Sequence, residues 1–361
     1  MSPLEAELRA MISASGPIPV SRYMALCLSH PEHGYYTNRD PFGSAGDFIT
    51  APEISQMFGE LIGLWAAEVW RQMGSPRAVR LIELGPGRGT MMADALRAAR
   101  ALPAFRSALS MHLVETSPAL ERRQRETLAA CGAPISWHRA LAEVPAGASI
   151  ILANEFFDAL PVHQAIRVAQ GWHERVVGLD PEGRLAFAIA PMPSPPIARI
   201  PQRLDATAAP GAIFEWRCAE AMRALAARVA RDGAALVIDY GHTESGLGET
   251  LQAVRGHRFA GVLADPGEAD LTAHVDFAAL RADAEQAGAQ VYGPIEQGLF
   301  LQRLGIAERA ARLKTAAPAK GDAIDAALAR LTGGSQTGMG RLFKALALCD
   351  PTLGPLPGFD P

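Results

Sequence analysis

The feature that most constrains the fold of this chain is a short apolar strand that ends in an acid and leads directly into three glycines. Val79 to Leu84 has the pattern of a buried parallel strand, and Gly85, Gly87 and Gly89 follow at alternate positions. Thr90 to Ala101 then has the pattern of a helix. Glycines let the backbone turn sharply and approach a ligand closely, and a helix N-terminus presents N–H groups to that ligand. The segment therefore predicts a loop that holds a nucleotide.

The spacing of the glycines distinguishes between nucleotides. A dinucleotide site needs G-x-G-x-x-G, but Thr90 stands where the third glycine would be, which argues against a nicotinamide cofactor. The pattern Glu83-x-Gly85-x-Gly87-x-Gly89 resembles the first motif of Rossmann-like S-adenosylmethionine-dependent methyltransferases. In those proteins the acid at the end of the strand helps to hold the methionine part of the cofactor. A tight turn without any ligand is the alternative interpretation.

A second acid is expected to bind the ribose. Met111 to Val114 reads as the next strand, Glu115 ends it, and Ser117 and Pro118 begin a helix. A carboxylate at this point can accept hydrogen bonds from both ribose hydroxyls. Alternatively, Glu115 only favours the helix N-terminus electrostatically.

Composition excludes several classes of protein. The 361 residues are 49% hydrophobic, enough for one large domain with insertions or for two domains. A net charge of -4 with dispersed basic residues gives no reason to expect a nucleic-acid partner. The four cysteines have no metal-binding spacing, so we expect reduced thiols and no metal site. Because no apolar run is long enough to span a membrane, we expect a soluble, cytoplasmic protein.

The pattern of elements predicts an α/β fold with additions. We expect an N-terminal helical extension over residues 1–74 and a Rossmann-like domain over 75–361, with insertions at about 162–210 and 296–336. In the extension, Thr50 and Glu53 form the capping box of one long helix that ends before Gly74. A helix over 215–231 carries Cys218 on its apolar face, another spans Val275 to Ala287, and a helical stretch runs from Leu299 to Leu331. The alternating pattern from Val162 to Ile189 predicts antiparallel strands or hairpins. An antiparallel edge closes the sheet.

The fourth core strand leads into Asn154-Glu155-Phe156-Phe157-Asp158, which we expect at the same edge of the sheet as the glycine loop. Methyl transfer needs an acceptor lone pair held in line with the methyl group rather than extensive acid–base chemistry. Carboxylates and aromatic faces suit a cationic acceptor such as a guanidinium group. We therefore assign Glu155 and Asp158 as catalytic, and Asn154, Phe156 and Phe157 as substrate-binding. Core packing of the phenylalanines and helix capping by the acids are the alternatives.

Together these segments resemble the MidA-type family of S-adenosylmethionine-dependent methyltransferases, which includes the mitochondrial protein-arginine methyltransferase that assists complex I assembly. The resemblance extends over nearly the whole chain and is carried by His30 to Tyr36, Gly46 to Gly59, Glu83 to Gly89, Asn154 to Pro161, Asp239 to Gly241 and Asp270 to Phe277. It implies a class I methyltransferase sheet and S-adenosyl-L-methionine as cofactor. For the mitochondrial members it also implies symmetric dimethylation of an arginine on a peripheral-arm subunit of complex I, and it leaves open whether a bacterial relative has the same substrate. Eukaryotic relatives would act in the mitochondrial matrix, and a bacterial member in the cytoplasm.

The resemblance gives roles to residues that composition leaves unassigned. Asp47 to Gly59 would form a lid over the cofactor, with Thr50, Glu53 and Gln56 near it. His274 and Asp276 would orient the acceptor or the insertion. A small-molecule methyltransferase and a non-catalytic cofactor-binding assembly factor remain alternatives. The sequence does not predict the oligomeric state.

Overall fold

The computed structural model describes residues 2–38, 49–193, 199–335 and 338–359. The helices in this part of the chain are α1 (Pro3–Ser15), α2 (Val20–Ser29), α3 (Tyr35–Asn38), α4 (Ala51–Ile54), α5 (Gln56–Gln72), α6 (Thr90–Ala99), α7 (Pro103–Ala108), α8 (Pro118–Leu128), α9 (Gln202–Thr207), α10 (Glu220–Val229), α11 (Phe277–Gln286), α12 (Gln297–Arg303), α13 (Ile306–Ala316), α14 (Gly321–Thr332) and α15 (Met339–Leu342). The strands are β1 (Ile18–Pro19), β2 (Val79–Leu84), β3 (Leu109–Val114), β4 (Ile135–His138), β5 (Ser149–Asn154), β6 (Val162–Val168), β7 (Gly171–Leu179), β8 (Leu185–Pro193), β9 (Ile213–Arg217), β10 (Gly233–His242), β11 (Gln252–Arg255), β12 (Arg258–Ala260), β13 (Asp270–Thr272), β14 (Val275–Asp276), β15 (Gln290–Glu296) and β16 (Phe343–Cys349).

The chain forms two compact units, each made of separate stretches of sequence. The central-sheet unit comprises residues 49–157, 219–243 and 277–361, and the antiparallel unit comprises residues 1–48, 158–218 and 244–276. The boundary drawn from the sequence between residues 74 and 75 falls inside the central-sheet unit.

The central-sheet unit contains strands in the order β15-β16-β10-β5-β2-β3-β4. The strands β10, β5, β2, β3 and β4 are parallel, and β16 runs antiparallel between β10 and β15. Side chains such as Leu81, Ile150 and Leu236 are buried because helices cover this sheet. The predicted α/β class and the antiparallel edge are confirmed.

The long helix predicted after Thr50 is interrupted, so that part of the prediction is wrong. The short helix α4 ends at Ile54, and Ser55 begins α5 in an extended conformation, with its side chain accepting a hydrogen bond from the N–H of Met57. The Thr50 side chain makes no capping bond to α4. Ser55 is thus the N-cap of the long helix, which leaves the Glu53 side chain available for other contacts.

The antiparallel unit is built around the strands β1-β7-β6-β9, with β8 paired to β7. The hairpin strands β11, β12 and β13 form a smaller sheet. The apolar face of α1, including Leu4, Leu8 and Ile12, packs in the core of this unit. The antiparallel strands predicted between residues 162 and 189 are confirmed as β6, β7 and β8.

Three predicted helices differ from the observed elements. Residues 213–217 form β9, which pairs with β6, and the helix begins only at Glu220. Val275 and Asp276 form β14 before α11, and the predicted helical stretch from 299 to 331 is divided among α12, α13 and α14. Cys218 therefore lies in the connection between β9 and α10 rather than on a helix face.

None of the described helices is both long and apolar enough to cross a membrane.

Candidate functional site

The glycine loop connects β2 to α6 in the geometry that its sequence predicts. Gly85, Gly87 and Gly89 have φ angles of 60°, 53° and 81°, in the left-handed region. A Cβ on Gly85 would lie 3.1 Å from Cδ2 of Phe156, and a Cβ on Gly89 would lie 3.3 Å from Leu128. Gly89 is also the N-cap of α6. The left-handed backbone conformation favours glycine at all three positions, and the neighbouring side chains leave little room for a Cβ at Gly85 and Gly89. The loop leads into a helix N-terminus suited to a polar ligand.

Glu83, at the end of β2, carries a buried carboxyl oxygen suited to a cation. Its side chain is 2% exposed, and its Oε2 atom has no hydrogen-bond partner among the described residues. Burial raises the pKa of this carboxyl group to about 8. A buried carboxylate oxygen without a partner is costly, and a positively charged group would remove that cost.

Glu115, at the end of β3, is held in place by a residue that sequence reasoning missed. Its Oε1 accepts from the N–H of Ser117 at 2.7 Å, and its Oε2 accepts from Nε2 of Gln124 at 3.0 Å. The same Nε2 donates to the carbonyl of Gly87 at 2.8 Å. Gln124 thereby joins Glu115 to the glycine loop. Each carboxylate oxygen can accept a further bond, so both remain able to bind ribose hydroxyls.

The segment around α4 contacts the glycine loop through Glu53. Its Oε1 accepts a hydrogen bond from the hydroxyl of Thr90, and its Oε2 lies 3.9 Å from Nη1 of Arg88. Thr50 is buried just before α4, whereas Gln56 is exposed at the start of α5. The part of the expected lid before Ile49 lies outside the described residues.

The turn after β5 brings Asn154 and Glu155 to the edge where β2 ends. Glu155 has a φ of 50°, an uncommon conformation for a residue with a side chain. Its Oε1 accepts from the N–H of Ala51 at 3.0 Å and from Nδ2 of Asn154 at 3.1 Å. Asn154 Oδ1 is buried without a hydrogen-bond partner in the described part of the chain.

Phe156 and Phe157 in the same turn have different environments. The Phe156 ring is half-buried and lies against Gly85, while Phe157 is fully buried. The N–H of Phe157 donates to Oδ2 of Asp239 at 2.9 Å. Asp239, on β10, is therefore a second positioning residue that sequence reasoning did not select.

The other predicted acceptor residues belong to the antiparallel unit. Asp158 is 5% exposed, and its Oδ1 accepts from the N–H of Ala159 at 2.8 Å. The guanidinium group of Arg217 donates to the carbonyl oxygens of Asp158 at 3.2 Å and His274 at 2.8 Å. Asp276 is half-buried at the end of β14. The structure thus joins Asp158 and His274 through Arg217, which the sequence analysis missed.

The central-sheet unit alone has the features that a nucleoside with a charged amino-acid tail requires. The glycine loop offers close backbone approach, Glu115 offers acceptors for ribose, and Glu83 offers an acceptor for a cationic group. These residues fit S-adenosyl-L-methionine, which carries both a ribose and a cationic methionine tail. No group of three or more potential metal ligands occurs among the residues described.

Comparison with known proteins agrees with this assignment. Residues 61–295 match the model of a family of S-adenosyl-L-methionine-dependent methyltransferases. The mitochondrial protein arginine methyltransferase NDUFAF7 homolog of Drosophila melanogaster is 40% identical, covering 96% of this chain and 84% of that protein. Mitochondrial protein arginine methyltransferase NDUFAF7 of Homo sapiens is also 40% identical, covering 85% of this chain and 74% of that protein.

A solved structure shows the same architecture. The crystal structure of a protein from Burkholderia thailandensis bound to S-adenosyl-homocysteine superposes with a TM-score of 0.87 at 32% identity, covering 99% of this chain and 94% of that chain. S-adenosyl-homocysteine is what remains of S-adenosyl-L-methionine after the methyl group has been transferred. The chain described here therefore belongs to the S-adenosyl-L-methionine-dependent methyltransferase family and uses S-adenosyl-L-methionine as its cofactor.

Proposed function

We propose that this enzyme methylates the side chain of an arginine on a protein substrate. Relatives that carry the name protein arginine methyltransferase are 40% identical over most of the chain. The observation that carries the proposal is the strained Glu155, with a φ of 50°, directly after the strand next to β2. Strained backbone of this kind concentrates at functional sites, and a carboxylate is suited to a guanidinium group.

The proposed site residues have separate roles in methyl transfer. S-adenosyl-L-methionine supplies an electrophilic methyl group on a sulfonium sulfur. Glu83, the glycine loop and Glu115 hold the cofactor, assisted by Thr50 and Gln56. We assign Glu155 and Asp158 to the guanidinium of the acceptor, one nitrogen lone pair of which must face the methyl group. The new N–C bond forms as the C–S bond breaks, and the methylated nitrogen releases a proton to a carboxylate or to solvent.

The remaining residues in the proposed site help to place the acceptor. Asn154 can accept a hydrogen bond through its buried Oδ1, and the half-buried Phe156 offers an aromatic face to a cation. Phe157 supports that face, since the two rings meet edge to face with centroids 5.3 Å apart. We assign His274 and Asp276 to the orientation of the acceptor.

We propose a peripheral-arm subunit of respiratory complex I as the substrate, symmetrically dimethylated, on the basis of the family resemblance. We also propose that the protein acts in the bacterial cytoplasm; its eukaryotic relatives are named mitochondrial. Mass spectrometry of complex I subunits from strains with and without the gene tests the substrate. A methylated arginine should disappear without the gene, whereas an unchanged pattern would contradict this substrate.

Variants of the enzyme test the acceptor site separately. Transfer of labelled methyl groups to the identified subunit should fall at least about 100-fold in Glu155→Gln and Asp158→Asn, on the scale of one lost transition-state contact. S-adenosyl-homocysteine should still bind, because neither residue is assigned to the cofactor. Glu126→Gln, which changes an exposed acid on α8, is the matched control. Full transfer by both site variants would contradict their assignment, and label found only in metabolites would indicate a small-molecule methyltransferase.

A further inference from the structure

A cysteine, a histidine and a glutamate form a cluster in the antiparallel unit that methyl transfer does not use. Cys218 Sγ lies 3.6 Å from Nε2 of His163, and Nδ1 of His163 lies 3.4 Å from Oε1 of Glu174. Nδ1 is also 3.2 Å from the hydroxyl of Ser21. Three residues far apart in sequence thus meet in the order thiol, imidazole, carboxylate.

Strand pairing and stacking hold the imidazole in position. His163 on β6 is opposite Trp216 on β9, and the two rings stack with centroids 5.1 Å apart and an interplanar angle of 14°. Cys218 follows β9, whereas Glu174 lies on β7 at the other side of β6. The imidazole is therefore fixed between the thiol and the carboxylate by the register of the sheet.

This arrangement is the one by which proteins activate a nucleophile. A base within hydrogen-bonding reach takes the proton of the nucleophile, and a third group orients the base. With the Nδ1 proton directed at Glu174, Nε2 can accept the proton of the thiol, and the carboxylate stabilises the resulting imidazolium.

The other charged side chains of the surrounding elements have contacts of their own. Arg167 pairs with Asp205, Arg175 pairs with Glu249, and Glu215 accepts from Gln164 and Thr250. Arg217 binds backbone carbonyls, His173 bonds to the carbonyl of Ala190, and Arg22 is exposed on α2. Glu174 is thus the carboxylate that directly faces His163.

The other cysteines provide contrasts within the same chain. Cys27 and Cys349 are buried, and burial raises the pKa of each thiol to about 12. Cys131 is half-buried, and its pKa is also raised by burial. Cys218 is exposed, so reagents in solution can reach it.

We propose that Cys218 is an activated thiol, with His163 as its base and Glu174 as the group that orients this base, and that hydroperoxides oxidise it. The thiolate sulfur attacks one peroxide oxygen, so that an S–O bond forms as the O–O bond breaks. The sulfur loses two electrons and becomes a sulfenic acid. The peroxide is reduced, and its leaving oxygen takes the proton from the His163 imidazolium to leave as water or an alcohol.

Competitive alkylation of the full-length protein tests the activation. Iodoacetamide labelling across a range of pH, followed by peptide mass spectrometry, gives a rate for each cysteine in one sample. We expect the midpoint for Cys218 at least about one pH unit below the 8.5 of an ordinary thiol. At neutral pH, Cys218 should react at least about tenfold faster than Cys131.

Variants distinguish activation from simple exposure. His163→Gln should slow labelling of Cys218 at neutral pH at least about fivefold and restore an ordinary midpoint, and Glu174→Gln should have the same direction of effect. His257→Gln, an exposed residue of the same unit, should change neither. Circular dichroism and cofactor affinity check that the variants fold. A midpoint near 8.5 in the unmodified protein, or identical labelling in His163→Gln, would overturn the proposal.

Dimedone trapping tests the oxidation step. After treatment with hydrogen peroxide, the sulfenic acid adduct should form on Cys218 before any other cysteine and should decrease in His163→Gln. An adduct that forms equally fast in His163→Gln would contradict the role of the imidazole.

Discussion

At the scale of single residues, the proposed role of Glu83 in holding the cofactor predicts that cofactor affinity depends on pH. The carboxyl group is buried beside the glycine loop, and burial raises its pKa to about 8. Below that pH the empty site holds a protonated, neutral Glu83. S-adenosyl-L-methionine and S-adenosyl-homocysteine both carry an ammonium group on the amino-acid tail. If this group binds the ionised form of Glu83, binding must release a proton.

We therefore expect S-adenosyl-homocysteine to bind more tightly as the pH rises from about 6 to about 8, by up to about tenfold per pH unit. The amino group of this molecule lies beside its own free carboxylate, which keeps it protonated over this range, so Glu83 is the group that changes charge. Titration calorimetry at several pH values, in buffers of different ionisation enthalpy, measures both the affinity and the proton release. Glu83→Gln should bind more weakly at pH 8 and lose this dependence, while Glu126→Gln keeps it. The same slope in Glu83→Gln and the unmodified protein would contradict this role.

The residues proposed to hold the cofactor differ in whether the sequence alone could identify them. Glu83 and Glu115 could be found because each ends a strand, and strand ends are recognisable from hydrophobic pattern alone. Gln124 could not be found in this way, because it lies inside α8 and nothing in the sequence indicates its contact with Gly87. Its role depends on how α8 packs against the loop. Such contacts need the tertiary structure.

At the scale of elements, α4 is attached to the turn after β5 at one end and to the start of α6 near the other. The N–H of Ala51 donates to Glu155, and Glu53 accepts from Thr90 at the start of α6. Sequence analysis assigned Thr50 and Glu53 to a capping box of one long helix, but Ser55 provides the cap and α4 is separate. The Glu53 carboxylate thereby becomes a tether between α4 and α6.

We expect Thr90→Val to loosen this tether. The substitution keeps the size of the side chain but removes the hydroxyl that bonds to Glu53, at a cost of about 1–3 kcal/mol where the partner stays buried. Amide hydrogen exchange over residues 50–56 should accelerate, and S-adenosyl-homocysteine should bind more weakly. Thr127→Val is the control, because that hydroxyl bonds to the helix carbonyl of Arg123 on an exposed face. Unchanged exchange in Thr90→Val would show that this bond does not hold α4.

The error at residues 215–217 has a physical explanation. The regular apolar spacing of Met222, Leu225 and Val229 is truly helical, but extending it backwards included Trp216 and Glu215. Those residues instead complete β9, because pairing with β6 satisfies their backbone groups and stacks Trp216 on His163. Long-range strand pairing outweighs local periodicity here, and it also places Cys218 beside His163.

At the scale of the whole molecule, the antiparallel unit is made of separate stretches of the chain, and the side chain of Arg217 binds backbone carbonyls in two of them. The unit includes residues 158–218 and 244–276. Besides Asp158 and His274, the guanidinium group donates to the carbonyls of Leu160 at 3.2 Å and Ala273 at 2.6 Å. Arg217, near the end of the stretch 158–218, thus binds residues at the start of that stretch and at the end of the stretch 244–276. A linear sequence shows neither stretch as part of one unit.

Arg217→Lys should therefore destabilise the antiparallel unit by at least about 2 kcal/mol, since lysine keeps the charge but cannot reach the carbonyls with a planar fork of donors. Urea denaturation followed by hydrogen exchange in peptides over residues 162–179 and 250–274 measures this loss. Arg184→Lys is the matched control, because Arg184 is exposed and pairs with Asp180 in a turn of the same unit. The Asp158 backbone is bound by Arg217, so Arg217→Lys should also lower methyl transfer while leaving the affinity for S-adenosyl-homocysteine unchanged. A variant that denatures at the same urea concentration as the unmodified protein would show that the four carbonyl contacts contribute little to holding the unit together.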